Sequence, residues 1–284
     1  MEEARASHTA LRVAMRRAAH QLVDEPKVLD DPIALKILGP REQQRLEGGE
    51  GMGSDRLSRG MRAFMAARSR YAEDELARAV ARGTAQYVVL GAGLDTFAYR
   101  NPHPENALRV FEVDYPATQE WKRRQLTASE IAIPSSVTFA PVDFERQTLA
   151  DGLREAGFDR AKPAFFSWLG VSMYLTDEAI GSTLRFVASL PHGGGIVFDY
   201  VVPRESLGLM ERMALDALSR RVEAAGEPFR TSFEPESLAA RLRQIGFRSV
   251  EDLGSAEINA RYFKDRADGL RIAGNVGRLI GATR

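Results

Sequence analysis

Cysteine is absent from the 284 residues, which removes disulfides, thiolate nucleophiles and cysteine-ligated metal sites at once. Histidine is scarce: His8, His20, His103 and His192 are widely spaced, form no metal-ligand pattern, and each reads as a surface or loop residue. No metal is expected. Charge of one sign is not in excess either, because 39 basic and 39 acidic residues cancel, so neither nucleic acid nor an anionic membrane is an expected partner. Local basic clusters such as Arg16 with Arg17, and Lys122 with Arg123 and Arg124, read as solvated helix faces. No apolar run approaches the ~20 residues of a membrane span. The opening residues, MEEARASH, lack the charged-then-apolar order of a signal peptide, so a cytoplasmic location is expected.

What is present is an ordinary globular composition, 44% hydrophobic and 27% charged, in a length that suits one large domain or one domain with a cap. Residues 1–84 carry helical spacing, with Leu11, Ala14, Met15 and Ala18 on one face and Met61, Phe64, Met65, Ala72, Leu76 and Ala79 on another. A break rich in Gly, Glu and Gln at residues 39–53 separates the two helical parts, and the whole reads as a helical cap. From residue 85 to 284 strands and helices alternate, the pattern of a doubly wound, mostly parallel sheet. Strands are predicted at 87–90, 109–113, 136–141, 164–169, 195–201, 247–253 and 277–283. A helical insertion within residues 203–233 delays the sixth strand and is placed to form a lid. The chain is expected to be a monomer or a homodimer.

The densest chemical signal is YVVLGAGLDTFAYR, residues 87–100. A continuous β-branched run enters a turn in which Gly91 and Gly93 place no Cβ between backbone and ligand. A dinucleotide fingerprint needs a third glycine at the sixth position, where a helix opens beneath a pyrophosphate; here that position is Thr96. Asp114 ends the next strand, about 20 residues on, where an acid accepts from two ribose hydroxyls. The pair of signals reads as a nucleoside site without a phosphate cradle.

Four motifs in order, GAGLDTFAYR, FEVDYP, VDFE and FFSWLGVSMYLT, resemble the leucine carboxyl methyltransferase family, which includes bacterial S-adenosylmethionine-dependent O-methyltransferases associated with polyketide synthesis. The resemblance covers nearly the whole chain and implies a class I methyltransferase fold, a seven-stranded sheet whose last strand is antiparallel. It implies S-adenosylmethionine as cofactor and a small-molecule methyl acceptor as partner. That cofactor has a ribose and an adenine but no phosphate, in keeping with Thr96. Carried onto this sequence, the cofactor residues are Gly91, Ala92, Gly93, Asp114, Tyr115, Leu169 and Gly170, with Arg68 for the cofactor carboxylate and Asp143 and Phe144 for the adenine. Several carboxyl-methylating relatives carry a glutamate where this chain has Leu169, which weakens inheritance of a protein C-terminal carboxylate as substrate.

For the acceptor, Tyr174 and Tyr200 are candidates to orient it, and Asp199, at the end of the fifth strand, is a candidate base. A carboxylate acceptor needs no base, because it is already ionised at neutral pH; a hydroxyl acceptor does. Two other classes stay open at this stage: an NAD(P)-dependent oxidoreductase, which also begins with strand, glycine turn and acid, and an S-adenosylmethionine-binding protein without turnover.

Overall fold

The computed structural model describes residues 8–50, 53–143, 146–191 and 194–284. In chain order the elements are helices α1 (His8–Val23), α2 (Pro40–Glu47) and α3 (Arg56–Ala81); strands β1 (Gln86–Leu90) and β2 (Arg109–Asp114); α4 (Pro116–Ala128), β3 (Val137–Pro141), α5 (Leu149–Glu155), β4 (Ala164–Trp168), α6 (Asp177–Ala188), β5 (Gly195–Val201), α7 (Leu209–Glu223), α8 (Pro235–Ile245), β6 (Ser249–Leu253), α9 (Ser255–Tyr262) and β7 (Gly277–Thr283). The seven strands form one sheet in the order β3-β2-β1-β4-β5-β7-β6. β1 through β5 pair in parallel, and β7 runs antiparallel between β5 and β6. This is the expected doubly wound sheet with a reversed last strand.

Every residue of β1 is buried because helices cover both faces of the sheet. Side-chain alternation sends Val88 and Leu90 to one face, into a core with Phe111, Phe166, Phe198, Ile180 of α6 and Leu242 of α8. Tyr87 and Val89 point the other way, against Ala63, Phe64, Tyr71 and Leu76 of α3 and Ile258 of α9. The long helix α3 therefore lies directly on the sheet, and α1 packs across it. Arg62 of α3 fastens the two helices by donating from Nε and Nη2 to the Asp24 carboxylate at 2.7 and 2.9 Å. Burial alone would raise the pKa of Asp24, but hydrogen bonds from His20 and Arg62 outweigh it and hold the group at about 2.

Several local expectations change. The Gly-, Glu- and Gln-rich break contains α2, which Pro40 opens as first-turn residue and whose Leu46 is fully buried; its polarity is that of a helix with one inward residue. No α-helix joins β1 to β2, only a 3-10 turn at Phe97–Tyr99. His20 is completely buried, taking a hydrogen bond from the Val28 N–H at Nε2. Arg17 and Lys122 are not solvated: they are 5% and 1% exposed, because each meets a buried acid. Among the described residues, no helix is long and apolar enough to cross a membrane.

The Lys122 pair crosses from α4 to the sheet. Its ammonium lies 2.8 Å from Glu112, which is wholly buried on β2 and also accepts from the Tyr99 hydroxyl at 2.9 Å. Burial pushes the Glu112 carboxyl above the ordinary range, although Lys122 opposes it. Removing one partner leaves a buried charge uncompensated, so Lys122→Ala should lower unfolding stability by about 3–5 kcal/mol at neutral pH. The loss should shrink on acidification, as Glu112 takes a proton and no longer needs a cation; denaturant titrations across pH measure both.

Candidate functional site

The carboxyl ends of β1, β2, β4 and β5 meet under α1 and α3, at the position where open α/β sheets collect ligands. The glycine turn is tied to β2 by the Gly91 and Ala92 N–H groups, which donate to the Val113 carbonyl at 2.8 and 3.1 Å. Gly91 has φ of +66°, and a Cβ there would stand 2.3 Å from Val171, so neither backbone nor space admits a side chain. Asp114 lies across the turn, its Oδ2 accepting from Gly93 N–H at 2.6 Å and its Oδ1 from Tyr115 N–H at 2.7 Å. Each carboxylate oxygen keeps acceptor capacity after these bonds. Burial is the largest influence on this carboxyl and raises its pKa above the ordinary aspartate value.

A cavity of about 380 Å³ opens over this turn, lined by Gly91, Ala92, Gly93, Asp114 and Tyr115 from the sheet side and by Ala10, Val13 and Ala14 of α1. Leu169, Gly170 and Tyr174 close its far end, with Arg68 and Glu227 beside them. A second cavity of about 360 Å³ adjoins it and is mostly apolar, with Met61, Phe64 and Met65 of α3 facing Ala214, Leu218 and Val222 of α7. Thr9, Val13, Arg68, Gly170 and Tyr174 line both. The two spaces meet at these residues.

At that junction Arg68 and Asp199 form a buried ion pair, with Nη1 donating to Oδ2 at 2.7 Å. The other Asp199 oxygen accepts from Gly170 N–H at 2.5 Å, and Ser172 Oγ donates to the Asp199 carbonyl at 2.5 Å. Gly170 has φ of +76°, and a Cβ on it would lie 2.9 Å from Arg68 Nη2; the glycine lets the guanidinium approach the loop. Tyr174 stacks on Phe229 with ring centroids 5.5 Å apart. Burial, reinforced by the Glu227 and Asp199 charges, pushes its hydroxyl up to about 12, so it is a neutral donor at physiological pH.

The leucine carboxyl methyltransferase model matches residues 10–188 of the chain. The chain belongs to this family. YktD of Bacillus subtilis, described as an S-adenosyl-L-methionine-dependent methyltransferase, is 33% identical over 95% of both chains, and a Saccharopolyspora erythraea protein so described is 36% identical over 66% of this chain and 64% of its own length. The same fold is seen in a DUF574 family protein of Streptomyces avermitilis, with TM-score 0.58, 18% identity and 98% of each chain covered. A Thermobifida fusca structure described as a methyltransferase has TM-score 0.54 and 16% identity, covering 100% of this chain and 97% of its own.

For this member of the leucine carboxyl methyltransferase family, the geometry brings together Arg68, Gly91, Ala92, Gly93, Asp114, Tyr115, Leu169, Gly170 and Tyr174 around the first cavity. It does not bring in Asp143, which lies past the end of β3 and ion-pairs with Arg146 at 3.4 Å; Phe144 falls outside the described residues. Asp199 is not placed as a free base, since both its oxygens are engaged. Tyr200 is likewise committed: the hydroxyl donates to Asp252 Oδ2 at 2.6 Å, away from the second cavity that its residue borders. Sequence reasoning missed Glu227 and the Arg12, Arg16 and Arg221 side chains; only the one-turn spacing of Arg12 and Arg16 signals them in advance.

The first cavity also lacks what a dinucleotide needs. Thr96 is fully buried and donates to Asp31 Oδ2 at 2.6 Å, while Arg17 donates to the Leu94 carbonyl at 2.8 Å. These bonds hold the chain after the turn as a loop, so no α-helix opens directly from the glycine turn.

Two substitutions test these placements. Asp114→Ala should weaken nucleoside-ligand binding by about 1–3 kcal/mol, the cost of hydroxyls left unpaired. In the wild type, binding should fade on acidification sooner than an ordinary aspartate of pKa about 3.9 would dictate, because its raised pKa means the acceptor charge is lost earlier. Calorimetry at several pH values reads both, and unchanged affinity in the variant removes Asp114 from the site. Tyr200→Phe should leave turnover intact and lower stability by about 1 kcal/mol through the lost bond to Asp252; a selective fall in turnover would return Tyr200 to the acceptor.

Proposed function

We propose that the protein is an S-adenosylmethionine-dependent O-methyltransferase acting on a small, largely apolar molecule. The carrying observation is the pair of adjoining cavities, one polar against the glycine turn and one apolar under α7, that meet at Arg68, Gly170 and Tyr174. The first cavity fits the cofactor in chemistry: an acceptor-only carboxylate for ribose hydroxyls, a guanidinium for a carboxylate, and no phosphate cradle. Asp114 would hold the ribose, the backbone of residues 91–93 would lie along the adenosine, and the Arg68 N–H groups not given to Asp199 would take the carboxylate.

When bound, S-adenosylmethionine supplies a methyl group activated by a positively charged sulfur. The protein contributes alignment and exclusion of water. Val13 and Tyr174 enclose the junction, and the neutral Tyr174 hydroxyl can donate to an acceptor oxygen and orient it. Among the described residues, the second cavity is lined by no histidine or lysine; of its two carboxylates, Asp199 is held by Arg68 and Gly170, and Asp55 caps α3, its Oδ1 accepting from the N–H groups of Leu57 and Ser58. A site so built favours an oxygen already ionised at neutral pH, such as a carboxylate or an acidic hydroxyl.

Thermal denaturation with S-adenosylmethionine, S-adenosylhomocysteine, NAD and NADP separates the enzyme classes, because a ligand raises stability by RT ln(1 + [L]/Kd). The first two alone should stabilise the protein. Radiolabelled methyl transfer to a panel of apolar carboxylic acids and phenols should then yield a labelled product. Stabilisation by NAD alone ends this reading, and cofactor binding with no transfer to any acceptor class assigns the chain to the non-catalytic binders.

A further inference from the structure

The second cavity is mostly apolar, and away from its junction with the first one part of its wall carries three arginines. Arg12 and Arg16 project from α1 one helical turn apart, and Arg221 reaches the same place from α7. All three also line a shallower depression of about 300 Å³ on the outer side. None of them forms an ion pair with any acid among the described residues. Arg16 is half-buried and Arg12 and Arg221 are exposed, whereas the fully buried arginines are matched, Arg17 to Asp31, Arg62 to Asp24 and Arg68 to Asp199.

Leaving three guanidinium groups together has a cost. Like charges one turn apart on a helix repel, and Arg221 adds a third. Arg16 is partly buried, and its charged form is disfavoured first by that burial and then by Arg221, Arg12 and Arg68. Of the two acids of the cavity wall among the described residues, Asp199 is paired with Arg68, and Asp55 forms no ion pair with these arginines. Overall charge does not explain the cluster either, because the chain is neutral. An anion bound from outside removes the repulsion between α1 and α7 and supplies the missing partner.

We propose that the second cavity recognises its occupant by an anionic group held on Arg12, Arg16 and Arg221, so that the acceptor is an amphiphilic anion. This rests on the second cavity being the acceptor site. The apolar body lies between α3 and α7, against Met61, Phe64, Met65 and Leu218, and the anion, a carboxylate or a phosphate, sits at the three arginines. These arginines do not line the first cavity. The anchored anion is therefore a recognition group distinct from the oxygen that takes the methyl at the junction with Tyr174, and the methylated product keeps its negative charge.

The test is calorimetric binding of four probes with the same alkyl chain, decanoate, decyl phosphate, decanol and decyltrimethylammonium, to the whole protein in the presence of S-adenosylhomocysteine. At least one of the two anions should bind about tenfold or more tighter than decanol, and the cation more weakly than either; the stronger anion names the head group. The preference should fade with added salt, persist in Arg16→Lys, and vanish in the double variant Arg16→Gln with Arg221→Gln. Neither arginine holds a partner among the described residues, so these variants should fold and bind S-adenosylhomocysteine as the wild type does. Decanol binding as tightly as both anions, no measurable binding of either anion, or a preference that survives the double variant overturns the proposal. The two readings fail separately: S-adenosylhomocysteine binding without an anion preference refutes the anion site alone, and an anion preference without S-adenosylhomocysteine binding refutes the donor assignment alone.

Discussion

The buried ion pair between Arg68 and Asp199 is the constraint on which the site depends. It joins the middle of α3 to the end of β5, and through Gly170 N–H it fixes the loop that leaves β4. Such a pair is not a cheap source of stability, because two ions must leave water. Its value is positional. Both carboxylate oxygens of Asp199 are engaged, the guanidinium sits at the wall shared by the two cavities, and the loop beneath it can carry no side chain at residue 170.

A second layer of buried charge keeps the roof in place. Arg62 and His20 converge on Asp24 to lock α1 against α3, and Arg17 reaches from α1 to the loop after the glycine turn through Asp31, Asp95 and the Leu94 carbonyl. The segment after the turn is thereby held without an α-helix. Asp199 at the junction is committed to structure by Arg68 and Gly170. The second cavity, under α7, is mostly apolar and carries Arg12, Arg16 and Arg221 in its wall.

Legibility in the sequence followed the range of the interaction. Strands β5 and β7 are short runs opened by glycine and were read to the residue. Asp114 was legible because the turn it serves lies close in sequence. Asp199 was misread as a base because its partner is 131 residues away, and Tyr200 as an acceptor contact because Asp252 is 52 residues away. Arg17 and Lys122 looked like surface charge for the same reason: nothing in their neighbours reveals Asp31 or Glu112. The α2 helix was hidden by a composition in which Leu46 is its single buried residue.

By itself, the sequence determined the alternation of strands and helices, the glycine turn with its acid, and the absence of a third glycine, since each depends on local backbone preference and hydrophobic period. Tertiary structure alone decided which charges are paired, which are left open, and that α1 and α7 enclose two joined cavities. Those outcomes depend on which distant side chains share a dry interior, where an ion must find a counter-charge or expose itself to a ligand.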